Sequence, residues 1–190
     1  MFSSADPDPR PLTGEPLAID LLNTRWIDAA GRHDLLASPE GTALWLRTPR
    51  VREALGDAPV VSGHATRDRL HQARAALEEA VAAPERPTPS ALAAVNEVLS
   101  HGRLRQVLRA GGPDTVIEVD DPGWFPAWAA VADFLRLVAD RPDRIRACGN
   151  DECVLHFYDV SKNGTRRWCS MSGCGNRAKA RRHHARHRPA

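Results

Sequence analysis

The chain of 190 residues lacks any long hydrophobic run, and its first residues lack the pattern of a secretory signal. No apolar stretch approaches the roughly 20 residues that cross a bilayer. The opening "MFSSADPDPRPLTGEP" has no basic segment followed by an apolar one. We therefore expect a cytoplasmic protein with no membrane partner, whose residues 1–14, rich in Pro, Asp and Ser, form a flexible tail.

The sequence also lacks the short signatures of the common catalytic sites. It contains no nucleophile elbow, no phosphate-binding loop and no metal-binding His/Glu motif. His33, His64, His71 and His101 occur singly, as surface histidines on amphipathic helices usually do. We expect no enzymatic activity, and an enzyme with its site in the N-terminal body is the least favoured hypothesis.

Acidic residues are missing from the end of the chain. Nine of the 26 basic residues follow Asp159, and none of the 24 acidic residues does. The segment after Asp159 therefore carries a charge of +9, and the rest of the chain carries about −7. The chain prefers arginine to lysine, but that preference does not explain the missing acids. An acidic body with a basic tail is typical of proteins that bind a polyanion.

Hydrophobic periodicity predicts a mainly helical body with small β elements, the α+β class. Helices are expected after Ser38-Pro39, Thr48-Pro49 and Thr88-Pro89, where a capping hydroxyl precedes a proline. The apolar stripe over 64–83 and the segment 122–140 predict two longer helices.

Two further segments concern strands. The "GGPD" between apolar runs predicts a β-hairpin over 104–119. The segment 17–27, "LAIDLLNTRWI", is compatible with either a strand or a helical turn.

All four cysteines lie near the end of the chain, at Cys148, Cys153, Cys169 and Cys174. Two close pairs joined by a folded connector supply the four soft ligands that a tetrahedral Zn²⁺ site needs. The connector is expected to be a hairpin, in which "VLHFYD" pairs with "TRRW" across a type I′ turn at Asn163-Gly164. The order pair, hairpin, pair, helix is that of a treble-clef-like module whose folding depends on metal.

Zinc is the preferred hypothesis for these cysteines, and two others stay open. Disulfides are uncommon in the cytoplasm, and buried thiols without a ligand are the third reading. A catalytic zinc is not expected, because four cysteines leave no open coordination position. His156 is a minor alternative ligand that we expect to be half-exposed on the hairpin.

The stretch "GNRAKARRHHARHR" predicts a basic helix beginning near Cys174. Its apolar residues are only alanines, so it cannot bury a stripe, while its length fits a DNA major groove. The alternative is a solvated, frayed terminus. The candidate nucleic-acid-binding residues are Arg166, Arg167, Arg177, Lys179, Arg181, Arg182, His184, Arg186 and Arg188. Trp168 is a further candidate for contact with the nucleic-acid backbone.

Three polar residues interrupt the apolar segment near the start of the body. Asp20, Asn23 and Arg25 are candidates for an effector pocket. The competing and favoured interpretation is that they bond to nearby backbone groups.

The segment "WCSMSGCGNRAKARRHHAR" resembles the CGNR zinc-finger family, named for Cys174, Gly175, Asn176 and Arg177 as they stand here. "LAIDLLNTRW" and "DLLASPEGTALWL" are similar to the start of the ABATE-type domain that precedes this finger. The resemblance implies a bacterial stress-induced transcription regulator that binds zinc through the four cysteines. It divides the chain into a tail (1–14), an ABATE-type domain (15–142) and a CGNR-type finger with its helix (143–190).

We therefore expect a DNA-binding transcription regulator with Zn²⁺ as its cofactor. A small-molecule effector and a homodimeric state are candidate features. The alternative is a zinc-stapled adaptor or an RNA-associated protein. A steep dependence of duplex binding on salt would favour the regulator.

Overall fold

A computed structural model describes residues 8–56 and 61–186 of the chain, with the backbone alone for 182–186. Within these ranges helices predominate, and three antiparallel hairpins each form a separate two-stranded sheet. The predicted α+β class is therefore confirmed. Every helix in the described ranges is too short or too polar to span a lipid bilayer.

The N-terminal body contains most of the helices. Its elements in chain order are α1 (Leu17–Leu22), β1 (Arg25–Asp28), β2 (Gly31–Asp34), α2 (Pro39–Arg47), α3 (Pro49–Leu55), α4 (His64–Ala80), α5 (Pro89–Ser100), β3 (Gly102–Arg109), β4 (Gly112–Val119) and α6 (Phe125–Asp140).

The three Ser/Thr-Pro helix starts are confirmed, though not all are capped in the same way. The hydroxyl of Ser38 accepts a hydrogen bond from the N–H of Gly41, and that of Thr88 accepts one from Ala91. Thr48 instead donates its hydroxyl to the carbonyl of Trp45. The side chain of Thr48 thus closes α2, while α3 begins with no side-chain cap.

The ambiguous segment 17–27 contains both structures that its pattern allowed. It forms α1, whose six residues are all buried, and then β1. A turn brings β1 against β2 with Trp26 opposite His33. The two rings stack with their centroids 4.8 Å apart, so the hairpin places an aromatic pair at the edge of the core.

The core of the body lies between α1, α4 and α6, with α2 and α5 packed around them. Trp45, Leu70, Leu77 and Leu137 are fully buried within it. Burial of each such side chain stabilises the fold by about 2 kcal/mol, so this core holds the surrounding hairpins in place.

Part of the predicted flexible tail is tied to this core. The guanidinium of Arg10 is buried and forms ion pairs of 2.7 Å with Asp8 and with Asp20. Arg10 is thus attached to the body, because a buried guanidinium must keep its carboxylate partners. Residues 1–7 of that predicted tail lie outside the described residues.

The predicted hairpin over 104–119 is confirmed as β3 and β4. Leu104 lies opposite Ile117, and Leu108 lies opposite Pro113. Leu104, Leu108 and Ile117 are all exposed, Leu108 the most of the three, so this hairpin contributes little to the core.

The C-terminal module comprises β5 (Ile145–Ala147), β6 (His156–Tyr158) and α7 (Asn176–Arg186). The predicted connector hairpin is wrong in its pairing, because β6 pairs with β5 and not with "TRRW". Residues 165–168 form no strand. The first cysteine pair therefore lies within the turn of the β5–β6 hairpin rather than before a hairpin.

The loop after β6 is held by side chains, which explains why Asn163-Gly164 does not form the predicted type I′ turn. That turn needs a positive φ at both central residues, but only Gly164 has one. Arg144 donates hydrogen bonds to the carbonyls of Asp159 and Ser161. The carboxylate of Asp159 accepts from the N–H groups of Ser161 and Arg166.

Candidate metal centre and basic helix

The β5–β6 hairpin positions Cys148 and Cys153. The N–H of Cys148 donates to the carbonyl of Leu155 at 2.8 Å, which extends the pairing of the two strands. The N–H of Cys153 donates to the carbonyl of Asn150 at 2.8 Å, which closes the turn between the two cysteines. Both thiols are therefore fixed by backbone hydrogen bonds at one end of the hairpin.

The segment leading into α7 positions Cys169 and Cys174. One π-helical turn, Met171–Gly175, precedes α7. The side chain of Ser170 accepts a hydrogen bond from the N–H of Gly173, and its carbonyl accepts one from Gly175. Because α7 continues directly from this turn, the second cysteine pair sets the point from which the basic helix begins.

The four thiols converge on one point. Their sulfur atoms all lie within 4.8 Å of one another. The Sγ atoms of Cys153 and Cys169 are 3.9 Å apart, and those of Cys169 and Cys174 are 3.6 Å apart. Tetrahedral ligands at a Zn–S distance of about 2.3 Å would be about 3.8 Å apart. All four cysteines are free thiols, so the donor set and its spacing fit a metal ion.

The electrostatics of the cluster also fit a cation. A hydrogen bond from the thiol of Cys169 lowers the pKa of Cys153 to about 5. That same interaction, together with burial, raises the pKa of Cys169, and burial raises the pKa of Cys148. The protein alone therefore favours one thiolate over several in so small a volume, whereas a bound divalent ion would allow all four thiols to ionise.

Side chains and backbone around the cluster donate hydrogen bonds to its sulfur atoms. The N–H of Cys169 lies 3.4 Å from Sγ of Cys148. Sγ of Cys174 accepts from the amide of Asn150 at 3.6 Å and from the guanidinium of Arg177 at 3.0 Å. The bond to Cys174 raises the pKa of Arg177. Asn150 was not identified from the sequence, and its position between the first two cysteines was the only signal available.

Two of the predicted nucleic-acid-binding arginines face the metal cluster and its hairpin. Arg177 contacts Cys174, and one turn later Arg181 contacts the side-chain oxygen of Asn150 and the carboxylate of Glu152, the latter at 3.3 Å. Lys179, between them, is exposed on another side of α7. Hence Arg181 joins the helix to the turn that carries the first cysteine pair, while Arg177 supports a thiol of the second pair.

The remaining predicted residues of the helix are described only in part. The side chains of Arg182, His184 and Arg186 lie outside the described residues, and so does Arg188 as a whole.

Arg166 and Arg167 occupy different environments. Arg166 forms an ion pair of 2.9 Å with Glu15 of the body, donates to the carbonyl of Cys169 at 2.7 Å and lies 4.2 Å above the ring of Phe157. Arg167 is exposed and lies 5.4 Å from the ring of Trp168. Arg166 thus connects the body to a cysteine of the cluster, while Arg167 faces solvent.

The module is also fixed to the body through the backbone of β6. The side-chain amide of Asn23 donates to the carbonyl of His156 and accepts from its N–H, both at 2.9 Å. The carboxylate of Glu15 accepts a further bond from the N–H of Tyr158 at 3.0 Å. Two buried side chains of the body therefore pair with β6 as a neighbouring strand would.

The three candidate effector residues do not form one pocket. The carboxylate of Asp20 is buried and accepts from Arg10 and from the indole N–H of Trp45. Asn23 holds β6 as described above. Arg25 alone lines a cavity of about 600 Å³, whose wall also includes His156. His156 is half-buried, as expected for it, and burial lowers its pKa.

Comparison with known families assigns both parts of the chain. The model of the ABATE domain, described as "Putative stress-induced transcription regulator", matches residues 15–141. The model of the CGNR zinc finger matches residues 144–187. No curated protein matches the chain in sequence.

Proposed function

The chain belongs to the ABATE family, and from that premise we propose that it is a zinc-dependent transcription regulator that binds DNA through α7. The observation that carries the proposal is the position of the four-thiol cluster. The cluster lies at the start of the basic helix α7 and is hydrogen-bonded to Arg177, the first arginine of that helix. A metal held there would fix the direction of the basic helix.

Zn²⁺ is the metal that this donor set fits best, with Cys148, Cys153, Cys169 and Cys174 as its ligands. Four thiolates close a tetrahedral sphere and leave no position for a reacting water, so the role is structural. β5 and β6 have only three residues each, and so short a hairpin is marginal without support. Metal binding would supply most of the folding free energy of the module.

The contacts of Arg177 and Arg181 divide the predicted DNA-binding residues into two groups. Arg166, Arg177 and Arg181 hold the helix and the second cysteine pair in place. Lys179, Arg182 and Arg186 follow helical spacing on another face, which we assign to phosphates and base edges. Arg167, which is exposed, would contact the phosphate backbone.

The role of the ABATE domain, with proposed limits 15–142, is to regulate the finger of 143–190. Asn23 bonds to β6, and Glu15 bonds to both β6 and Arg166. A movement of the body would therefore move the finger. The proposed regulator has three further predicted features: a small-molecule effector, a homodimeric state and a cytoplasmic location. Both matched families describe a finger or a regulator, which supports a regulatory role over the alternative of an enzyme.

A binding experiment on duplex DNA tests the proposal. Fluorescence anisotropy of the zinc-loaded chain should show an affinity that falls by orders of magnitude between low and moderate salt. Removal of residues 177–190 should abolish DNA binding at saturating zinc, at which the metal stays bound despite the loss of Arg177. Preference for single-stranded RNA over duplex DNA would instead favour the RNA-associated alternative, and unchanged DNA affinity after the truncation would contradict the role of α7.

Replacement of a cysteine tests the zinc assignment separately. Cys174→Ser should release the metal and unfold the module, while the body, which has its own core, stays folded. Zinc content and far-ultraviolet circular dichroism measure the two effects. Full retention of one zinc per chain would contradict the four-cysteine assignment.

A further inference from the structure

The cavity of about 600 Å³ lies where the β1–β2 hairpin, α4 and β6 meet. Its volume is in the range of sites for small organic ligands. Leu22 and Ile27 line it from the body, and Val154 lines it from the C-terminal module. The cavity therefore has apolar walls contributed by both parts of the chain.

An aromatic pair lines part of the cavity. The rings of Trp26 and His33 are stacked, with an interplanar angle of 11°. Nε2 of His33 is held 2.8 Å from the carboxylate of Asp28. Trp26 is almost fully buried and so fixes the position of the pair, while the partly exposed ring of His33 offers a flat surface that favours a flat ligand.

Among the described residues, the charges around the cavity leave one cation, Arg32, without a carboxylate partner. Arg25 pairs with Asp34 and with Glu78, and Asp34 also pairs with the buried Arg74. Arg32, which also lines the cavity, has no carboxylate within ion-pairing distance among the described residues. A ligand that complements this wall carries one negative charge, placed at the guanidinium of Arg32.

The module side of the cavity depends on how β6 is docked. His156 lines the cavity with its half-buried ring, while its backbone is held on both sides by Asn23. A molecule in the cavity would touch the body and the module together. It would therefore favour the docked arrangement of the two.

We propose that this cavity binds a small, flat aromatic monocarboxylate, with its carboxylate on Arg32 and its ring against the His33 ring that is stacked on Trp26. The regulatory role of this site rests on the proposed function, because a ligand bound here would control the DNA-binding finger. Binding itself is independent of DNA. A chain that binds the carboxylate but not duplex DNA would refute the regulator and keep the site, and the converse result would refute the site alone.

The test uses the full zinc-loaded chain with benzoate, phenylacetate and indole-3-acetate as probes, each compared with its neutral amide. Calorimetry measures affinity, and the indole N–H resonance of Trp26 reports the place of binding. We expect at least one carboxylate to bind about tenfold tighter than its amide, since a charge-assisted hydrogen bond supplies that difference. Its binding should shift the Trp26 resonance.

Arg32→Gln should remove the preference for the carboxylate, and Arg86→Gln, at an exposed position in the loop after α4, should keep it. Arg32 is exposed, so its replacement should leave the fold intact, which an unchanged melting temperature would verify. The proposal is overturned if no carboxylate binds at millimolar concentration, if acid and amide bind equally, or if binding leaves the Trp26 resonance unmoved.

Discussion

The guanidinium of Arg177 donates a hydrogen bond of 3.0 Å to Sγ of Cys174. One residue of the segment that looked like a DNA-binding surface is thus used at the metal cluster. Arg181 follows one turn later with contacts to Asn150 and Glu152. The basic helix therefore has an inner face that holds it to the module, and the proposed DNA contacts fall on a separate face, to which the exposed Lys179 belongs.

Loss of the hydrogen bond to Cys174 should weaken metal binding. We expect Arg177→Gln to lower zinc affinity about 10- to 100-fold, because groups that support metal ligands have effects of this size. Competition with a chromogenic chelator measures the change. Lys179→Gln is the matched control, because Lys179 lies away from the thiols, and equal losses in both variants would contradict a specific role for Arg177.

The two faces of α7 should differ in the salt dependence of DNA binding. Lys179→Gln should reduce the slope of log affinity against log salt by about 0.9, as expected for one lost phosphate contact. Arg181→Gln should lower affinity at every salt concentration and leave the slope unchanged, because it positions the helix. A slope change confined to Arg181→Gln would show that the assignment of the faces is reversed.

The pair Glu15 and Arg166 should couple the body to the module energetically. A double-mutant cycle with Glu15→Gln and Arg166→Gln is expected to give a coupling of about 1–3 kcal/mol in the free energy of unfolding. The exposed pair Arg109 and Asp114 of the β3–β4 hairpin is the control, with a much smaller expected coupling. Urea denaturation measures both cycles. Equal coupling energies for the two pairs would contradict the claim that Glu15 and Arg166 connect the body to the module.

Asp34 should contribute to the pH dependence of stability. Burial alone would raise its pKa, but hydrogen bonds and charge from Arg74, with a further bond from Arg25, outweigh burial and lower it. The contribution is present above the unfolded pKa of about 3.9 and is lost as the pH falls through the lower folded value.

Asp34→Asn should therefore be less stable than the parent chain near neutral pH, and this difference should narrow below about pH 4. Thermal denaturation across this range measures it. Asp68→Asn, at an exposed position, is the control, because any loss of metal in acid would affect this variant and Asp34→Asn alike. A difference between Asp34→Asn and the parent chain that stays constant with pH would contradict the ion-pair account.

Local signals in the sequence predicted much of the fold. Proline after a capping hydroxyl marked three helix starts, and alternation around "GGPD" marked the β3–β4 hairpin. Each of these features depends on residues close in the chain. The cysteine spacing likewise predicted a four-thiol cluster, which the structure places within 4.8 Å.

Contacts distant in sequence were not predictable in the same way. β6 pairs with β5 because the turn containing the first cysteine pair brings them together, and no periodicity distinguishes that partner from "TRRW". Glu15 and Asn23 reach β6 across more than 130 residues. Arg177 and Arg181 looked equivalent to their basic neighbours, because charge alone does not reveal which face a helix turns toward its support.

The affinity of the full chain for duplex DNA with and without zinc tests the central claim most directly. Anisotropy at fixed low salt should show tight binding by the zinc-loaded chain and a loss of at least about tenfold after removal of the metal by a chelator, with recovery when zinc is restored. This result is expected because the metal-bound cysteines fix where α7 begins. Equal affinity of the two forms would contradict the claim that the metal centre presents the basic helix.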